Sequence, residues 1–228
     1  MGFRLLPENH LIAQLPLEYH QIIVRTHIRR FHLFYEKYFA REESKALVTF
    51  FFEKVYNLEG KTRRDEIASR TYRRFRSLLS ERSRDRLEKL LYLNELTDYL
   101  DKKLAWGLYQ NSAWAAQAIA QGYADDLVYH ELLRQENSFE EREQQLQLVL
   151  WNLQSFFELS KHPLAEVVMR PAYMAAVMIG AKEIYYMLEE GYFASKPVPR
   201  ELFYEFVEFV KEKEKQFFYL VYGKYPQV

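Results

Sequence analysis

The chain has 228 residues with 32 basic and 32 acidic side chains, is 49% apolar and 17% aromatic, and contains no cysteine. Its length suits one domain of ordinary size or two small ones, and the missing thiols exclude disulfides, iron–sulfur clusters and thiolate zinc sites. Only seven Gly and seven Pro are present, about half the usual glycine frequency, so long helices joined by short connections are predicted.

The first helix is predicted from about Leu15 to Ala40, because Ile22, Ile23, His27, Phe31, Phe34, Tyr35 and Tyr38 recur at spacings of three and four. A second covers about Glu42 to Tyr56. Its Phe50-Phe51-Phe52 run is apolar around the whole circumference, which predicts a helix enclosed on most sides. Asn57 to Gly60 reads as a turn. Thr62 with Asp65 approximates a capping box for a third helix carrying Ile67, Tyr72, Phe75, Leu78 and Leu79 on one face. A fourth, capped by Ser80 or Ser83, carries leucines from Leu87 to Leu104, and Asn111 and Ser112 break its pattern.

An Ala-rich helix over 113–121 ends at Gly122, and Ala124 to Gln135 forms the next. Ser138 and Glu141 make a capping box that opens a helix to about Leu159. His162-Pro163 starts a short helix to Met169. Pro171 opens another, which stops at Gly191. Pro197 and Pro199 bracket the last connection, and Arg200 to Tyr222 is the final helix. No strand alternation competes. The expectation is a single all-α domain over 1–228, a bundle of about eight helices, with 1–14 an N-terminal extension and 223–228 a tail.

The N-terminal Met1 to Pro7 has no long apolar region, so no signal peptide is expected. No stretch approaches the ~18 apolar residues of a membrane span; the longest apolar patch is Tyr173 to Ala181. A cytoplasmic location is expected. Charge is unevenly spread: from Lys61 to Arg86 ten basic residues face four acidic ones, while the chain from Leu87 onward is net acidic.

The basic segment contains Arg70, Arg73, Arg74 and Arg76 around Tyr72 and Phe75. Arginines interleaved with aromatics form a candidate anion-binding face. On a helix, however, Tyr72, Phe75 and Leu79 share a buried stripe and the arginines a solvated one. With pI ≈ 7.0, a nucleic-acid partner is not expected.

No histidine has Glu three residues before it, as di-iron bundles require, and His-Glu-x-x-His is absent. Asp126 and His130, four apart, read as readily as a surface pair as they do as metal ligands. His27 and His32 are candidates for haem ligation, but a histidine on an apolar face reads first as a core residue. No metal and no cofactor are therefore expected. Walker, GxGxxG and GxSxG sequences are absent, so no catalytic residue is assigned.

Phe50-Phe51-Phe52-Glu53-Lys54-Val55-Tyr56 resembles the motif that names the FFLEELY-motif proteins, a bacterial family, and departs from it at Phe52, Lys54 and Val55. Arg64-Asp65, Leu100-Asp101, Met169-Arg170-Pro171-Ala172 and Leu188-Glu189-Glu190-Gly191-Tyr192 resemble further blocks of that family, in consistent order over about 20–215. The resemblance implies a bacterial, single-domain helical protein and brings no activity, cofactor or substrate with it. It points to Glu53, Tyr56, Arg64, Asp65, Asp101 and Arg170. Glu53, placed among phenylalanines, would need a cationic partner if buried, with Arg64 and Arg170 the candidates. These residues form either a buried ion-pair network that fixes helix packing or the polar lining of a pocket for an anionic head group.

The first functional reading is a non-enzymatic binding or interaction module, with a protein partner or a homodimer formed through the aromatic last helix. The alternative is a small-molecule, lipid or, less favoured, haem-binding protein with an aromatic-lined pocket. An enzyme of unknown chemistry comes third.

Overall fold

The computed structural model describes residues 15–58, 61–78, 81–178, 180 and 182–228; at 62–64, 75, 78, 82, 168, 170–172, 175 and 184 it describes the backbone alone. The fold is all-α, with no strand among the described residues. Among the described residues there are ten α-helices: α1 (Leu17–Phe39), α2 (Glu42–Phe50), α3 (Lys61–Phe75), α4 (Glu81–Gln110), α5 (Ser112–Gln121), α6 (Asp126–Glu136), α7 (Phe139–Ser160), α8 (Ala165–Met178), α9 (Lys182–Ser195) and α10 (Arg200–Tyr222). A π-helical segment, Phe51–Val55, extends α2, and a 3₁₀ turn, Arg76–Leu78, follows α3. The count exceeds the expected eight, although the helices taken in chain order from the sequence already number ten and include α5 and α6.

Local chemistry accounts for several boundaries. The Asn111 side chain accepts the Trp114 N–H (3.1 Å) at the start of α5, and that of Asp125 accepts the Val128 N–H (2.9 Å) at the start of α6. Gly122, at φ +80°, closes α5 through its N–H to the Ala118 carbonyl. In the π-helical segment the Tyr56 N–H reaches back five residues to the Phe51 carbonyl (2.7 Å). The Phe51 and Tyr56 rings stack in the same step, 6.0 Å apart and 3° from parallel.

Several predicted boundaries move, and the one helix expected from Pro171 to Gly191 is divided between α8 and α9. The helix expected to open at Pro171 already begins at Ala165, whose N–H bonds the His162 carbonyl (3.0 Å), so Pro171 lies inside α8. Gly191 does not stop a helix but lies within α9. Its Cα faces the Phe50 ring so closely that a Cβ would stand 2.7 Å from two ring atoms and 3.0 Å from Phe156 Cζ. Packing, not a turn, requires glycine there.

The chain divides into two compact units. Unit 1 comprises the chain through Glu36, Tyr92–Val149 and Glu205–Val228; unit 2 comprises Lys37–Leu91 and Leu150–Tyr204. In unit 1 the core is built from Ile22 and Ile23 of α1, Leu96, Leu100, Leu104 and Leu108 of α4, Leu132 and Leu133 of α6, and Val207 of α10. Each such side chain contributes about 1.5–3 kcal/mol by leaving water. In unit 2, α9 packs against α2 and α8, and Phe157 stacks face to face on Phe203 at 3.7 Å. Lys161 donates to the Ser195 and Lys196 carbonyls (3.2 and 2.6 Å), satisfying acceptors at the end of α9.

Gly191→Ala is expected to lower the melting temperature, because crowding of about 1–3 kcal/mol exceeds the gain in helix propensity of about 1 kcal/mol. Gly107→Ala is the matched control: its Cβ would meet only the Leu132 Cδ2 methyl at 3.2 Å, which a rotamer change relieves. Calorimetry of both variants checks this; equal melting temperatures would show that the Phe50 ring yields.

Candidate functional site

Unit 1 encloses two ion-paired groups. In the first, Arg142 of α7 reaches the Glu136 carboxylate of α6 (Nη2–Oε2 3.2 Å), the Leu100 carbonyl of α4 (3.0 Å) and Asp101 Oδ1 (3.7 Å). His27 of α1 approaches the same Asp101 oxygen through Nδ1 at 3.5 Å. In the second, Arg30 of α1 donates to Glu214 of α10 (3.0 Å), which also accepts the Tyr35 hydroxyl. The Arg30 guanidinium lies 4.3 Å from the Phe217 ring centroid, a desolvated cation–π contact. Asp101 is only 2% exposed and Arg142 8%, so neither charge is stabilised by bulk water.

Electrostatics follow from that burial. Burial, then the charges of Arg142, Arg30 and His20, push His27 well below the ordinary imidazole range, so it stands neutral. Burial also raises the Glu136 carboxyl, opposed by Arg142 and Lys103. Tyr129, edge-on to His27 at 5.4 Å, is pushed up to about 12 by burial. The phenol of Tyr222 is raised as well, by burial first. Burial opposes the charge on both arginines, but the carboxylates of Glu214 and Glu136 outweigh it and keep them protonated.

Of the residues singled out from sequence, Asp101 enters this network, and so does His27, buried against it as a core histidine. Glu53 is exposed on the π-helical segment, a correction to its expected burial: Phe50, Phe51 and Phe52 are each only half-buried, and the helix is open to water on one side. Tyr56 is engaged by Phe51. Asp65 pairs with Lys61 one turn earlier in α3, which starts at Lys61, so Thr62 lies inside its first turn. The side chains of Arg64 and Arg170 lie outside the described residues. Arg70, Arg73, Arg74 and Arg76 are all exposed, while Tyr72 gives its hydroxyl to Glu88. The last helix turns Phe203, Val207, Val210, Phe217 and Val221 inward and leaves Leu220 exposed. Asp126 is occupied by Arg29 (3.1 Å), and among the described residues no group of three or more His, Asp or Glu is placed to hold a metal ion.

Sequence reasoning missed Arg30, Glu136, Arg142 and Glu214 as members of the network. A signal was present: Glu214 stands on the apolar stripe Val207, Val210, Phe217, Val221, and Arg142 on the stripe Phe139, Leu146, Leu150.

A second feature lies in unit 2. Between α8 and α9 an open groove of about 490 Å³ is lined by Met169, Tyr173, Tyr185, Tyr186, Phe193, Glu166 and Glu189. Glu166 is held by Lys196, and Glu189 accepts the Tyr185 hydroxyl (3.0 Å). Around the groove Val167, Met174, Val177, Met178 and Leu188 are exposed.

Arg142→Met would leave Asp101 and Glu136 buried without their guanidinium, and a loss of about 3–5 kcal/mol in urea unfolding is expected. A smaller loss than for an exposed control such as Arg73→Met would show that water reaches the cluster. For His27 the folded state disfavours the proton that the unfolded chain accepts near pH 6.5. Stability contributed by neutral His27 is thus present above that pH and lost below it, at up to about 1.4 kcal/mol per pH unit. The raised Glu136 acts in the opposite direction on acidification, so the test is the difference between wild type and His27→Gln from pH 7.5 to 5. It should narrow as pH falls; parallel curves would mean that His27 titrates normally.

No curated protein and no solved structure matches the chain. A family of sequences does: the domain of unknown function DUF8198 matches residues 17–227. With the match running from the start of α1 to the penultimate residue, the chain belongs to the DUF8198 family.

Proposed function

We propose that the chain is a non-enzymatic binding module that docks another polypeptide on the α8–α9 face of unit 2. The observation that carries this reading is the concentration of exposed apolar side chains between residues 164 and 193. Met178 is 84% exposed and Val167 68%, with Leu164, Met174, Val177 and Phe193 also in solvent. Contiguous apolar surface of this kind marks interaction sites, and methionines adapt to a partner's relief. The enclosure of the His27–Asp101 pair supports the absence of catalysis, since a substrate would have to enter a packed core.

Several narrower readings belong with this one. The ordered blocks around Phe50–Tyr56, Asp101 and Arg170 support an FFLEELY-motif protein of bacterial origin. The unbroken family match supports reading the chain as one domain. No helix among the described residues is long and apolar enough to cross a membrane, which agrees with a cytoplasmic place of work. The exposed Arg70, Arg73, Arg74 and Arg76 read as a solvated face. A second reading, binding of a small molecule, is favoured by the aromatic groove itself.

The test is affinity capture with the full chain as bait beside a Val177→Asp, Met178→Asp double variant, whose sites are exposed and should leave folding intact. A protein retained by the wild type and lost by at least about tenfold with the variant supports the reading. Equal retention places the docking surface elsewhere.

A further inference from the structure

The groove between α8 and α9 has a composition that selects a ligand chemistry. Tyr173, Tyr185 and Tyr186 line it with mutually inclined rings. Tyr173 meets Tyr185 at 5.3 Å and 63°, Tyr173 meets Tyr186 at 6.0 Å and 40°, and Tyr185 meets Tyr186 at 6.0 Å and 66°. The 63° and 66° contacts are edge-to-face, so each covers part of one ring face and leaves the inclined rings turned in different directions within a small volume. Phe193 adds a fourth ring, and both charged residues of the lining, Glu166 and Glu189, are carboxylates. Anionic groups beside several ring faces form the environment that attracts an alkylated ammonium ion, which is too poorly hydrated to gain as much from water.

The protein supplies its own instance of that attraction. The Lys182 ammonium lies 5.2 Å from the Tyr186 ring centroid. Interaction with Tyr186 first and Tyr173 next raises its pKa, and the Tyr186 phenol is lowered by Tyr173 first and then by Lys182. The ion pair of Glu166 with Lys196 is at the surface, where such contacts exchange readily with solvent or with a competing cation, and the Tyr185–Glu189 hydrogen bond is half-buried.

We propose that the tyrosine-lined groove between α8 and α9 binds the quaternary or methylated ammonium group of a small organic cation, with Tyr173, Tyr185, Tyr186 and Phe193 as its walls and Glu166 and Glu189 as its counter-charge. This deepens the second reading, binding of a small molecule in the aromatic groove, and does not require a polypeptide to dock on α8–α9. An open groove gives modest cation–π attraction, so a dissociation constant on the order of a millimolar is expected for a minimal probe.

The experiment titrates the full-length protein with choline chloride, against sodium chloride at matched ionic strength, and reads tyrosine ring resonances by NMR. A parallel titration uses 3,3-dimethylbutan-1-ol, the neutral carbon isostere of choline. Saturable shifts with choline, at least about tenfold weaker with the isostere and weakened by both Tyr186→Leu and Glu189→Gln, are the expected result. Tyr186→Phe should retain binding, because it keeps the ring face. Equal binding of choline and the isostere would overturn the cation site while leaving a binding surface on α8–α9. No shift with either probe would also overturn it, and the docking reading would then stand or fall on the Val177 and Met178 capture experiment alone.

Discussion

Arg142 carries a charge into the interior of unit 1, and a buried guanidinium must be met by anions and carbonyl oxygens from whatever elements surround it. Those groups come from three helices: Glu136 from α6, the Leu100 carbonyl and Asp101 from α4, and Gln145 Oε1 (3.3 Å) from the same α7 that bears Arg142. The helices are therefore held at a register and not merely at a distance. Apolar contacts tolerate a small slide, whereas a guanidinium offset by an ångström loses its partners. Arg30 and Glu214 impose the same discipline on α1 and α10. The leucines of α4 and α6 supply most of the driving force, and the charged groups select one arrangement from the many that leucines would accept.

Unit 2 is organised differently. Its described core relies on ring contacts and close approach: Phe157 on Phe203, Phe52 edge-on to Phe39 (5.5 Å), and Phe50 over the bare Cα of Gly191. Its charged pairs, such as Arg200–Glu158 and Lys54–Glu190, are at the surface and add little to stability. The unit with fewer buried charges is also the one that exposes most apolar surface around α8 and α9. A surface that other chains use must remain uncommitted in the free protein, and α8–α9 has that character.

The helical fold was legible because periodicity is local: α1, α7 and α10 fall within two residues of their expected ends. Punctuation was a poorer guide. Pro171 and Gly191 read as a start and a stop, yet each lies inside a helix, because tertiary packing overrides a single residue's preference. The site was less legible still. Asp101 could be reached through a resemblance, but its partners His27 and Arg142 are 74 and 41 residues away in the chain, and spacing cannot disclose who meets whom. Arg142 and Glu214 were not singled out, because long charged side chains usually lie at the surface; only their place on an apolar stripe distinguishes them. Glu53 failed in the opposite sense, as its phenylalanine neighbours suggested burial and the π-helical turn leaves it in water.

That π-helical turn also bears on how the chain tolerates changes in length. A π-turn is an α-helix carrying one additional residue. If Glu53, Lys54 or Val55 were lost, the remaining residues would wind as ordinary α-helix, and the tyrosine would stand four places after Phe51 instead of five. Four places is the spacing at which helix side chains touch, so the Phe51–Tyr56 stack would persist, and Phe52 would keep its place against Phe39. Relatives of this chain can therefore differ by one residue in this segment without disturbing the aromatic contacts that follow it, and an alignment that forces the two lengths into one column would misplace a residue whose physical partner has not changed.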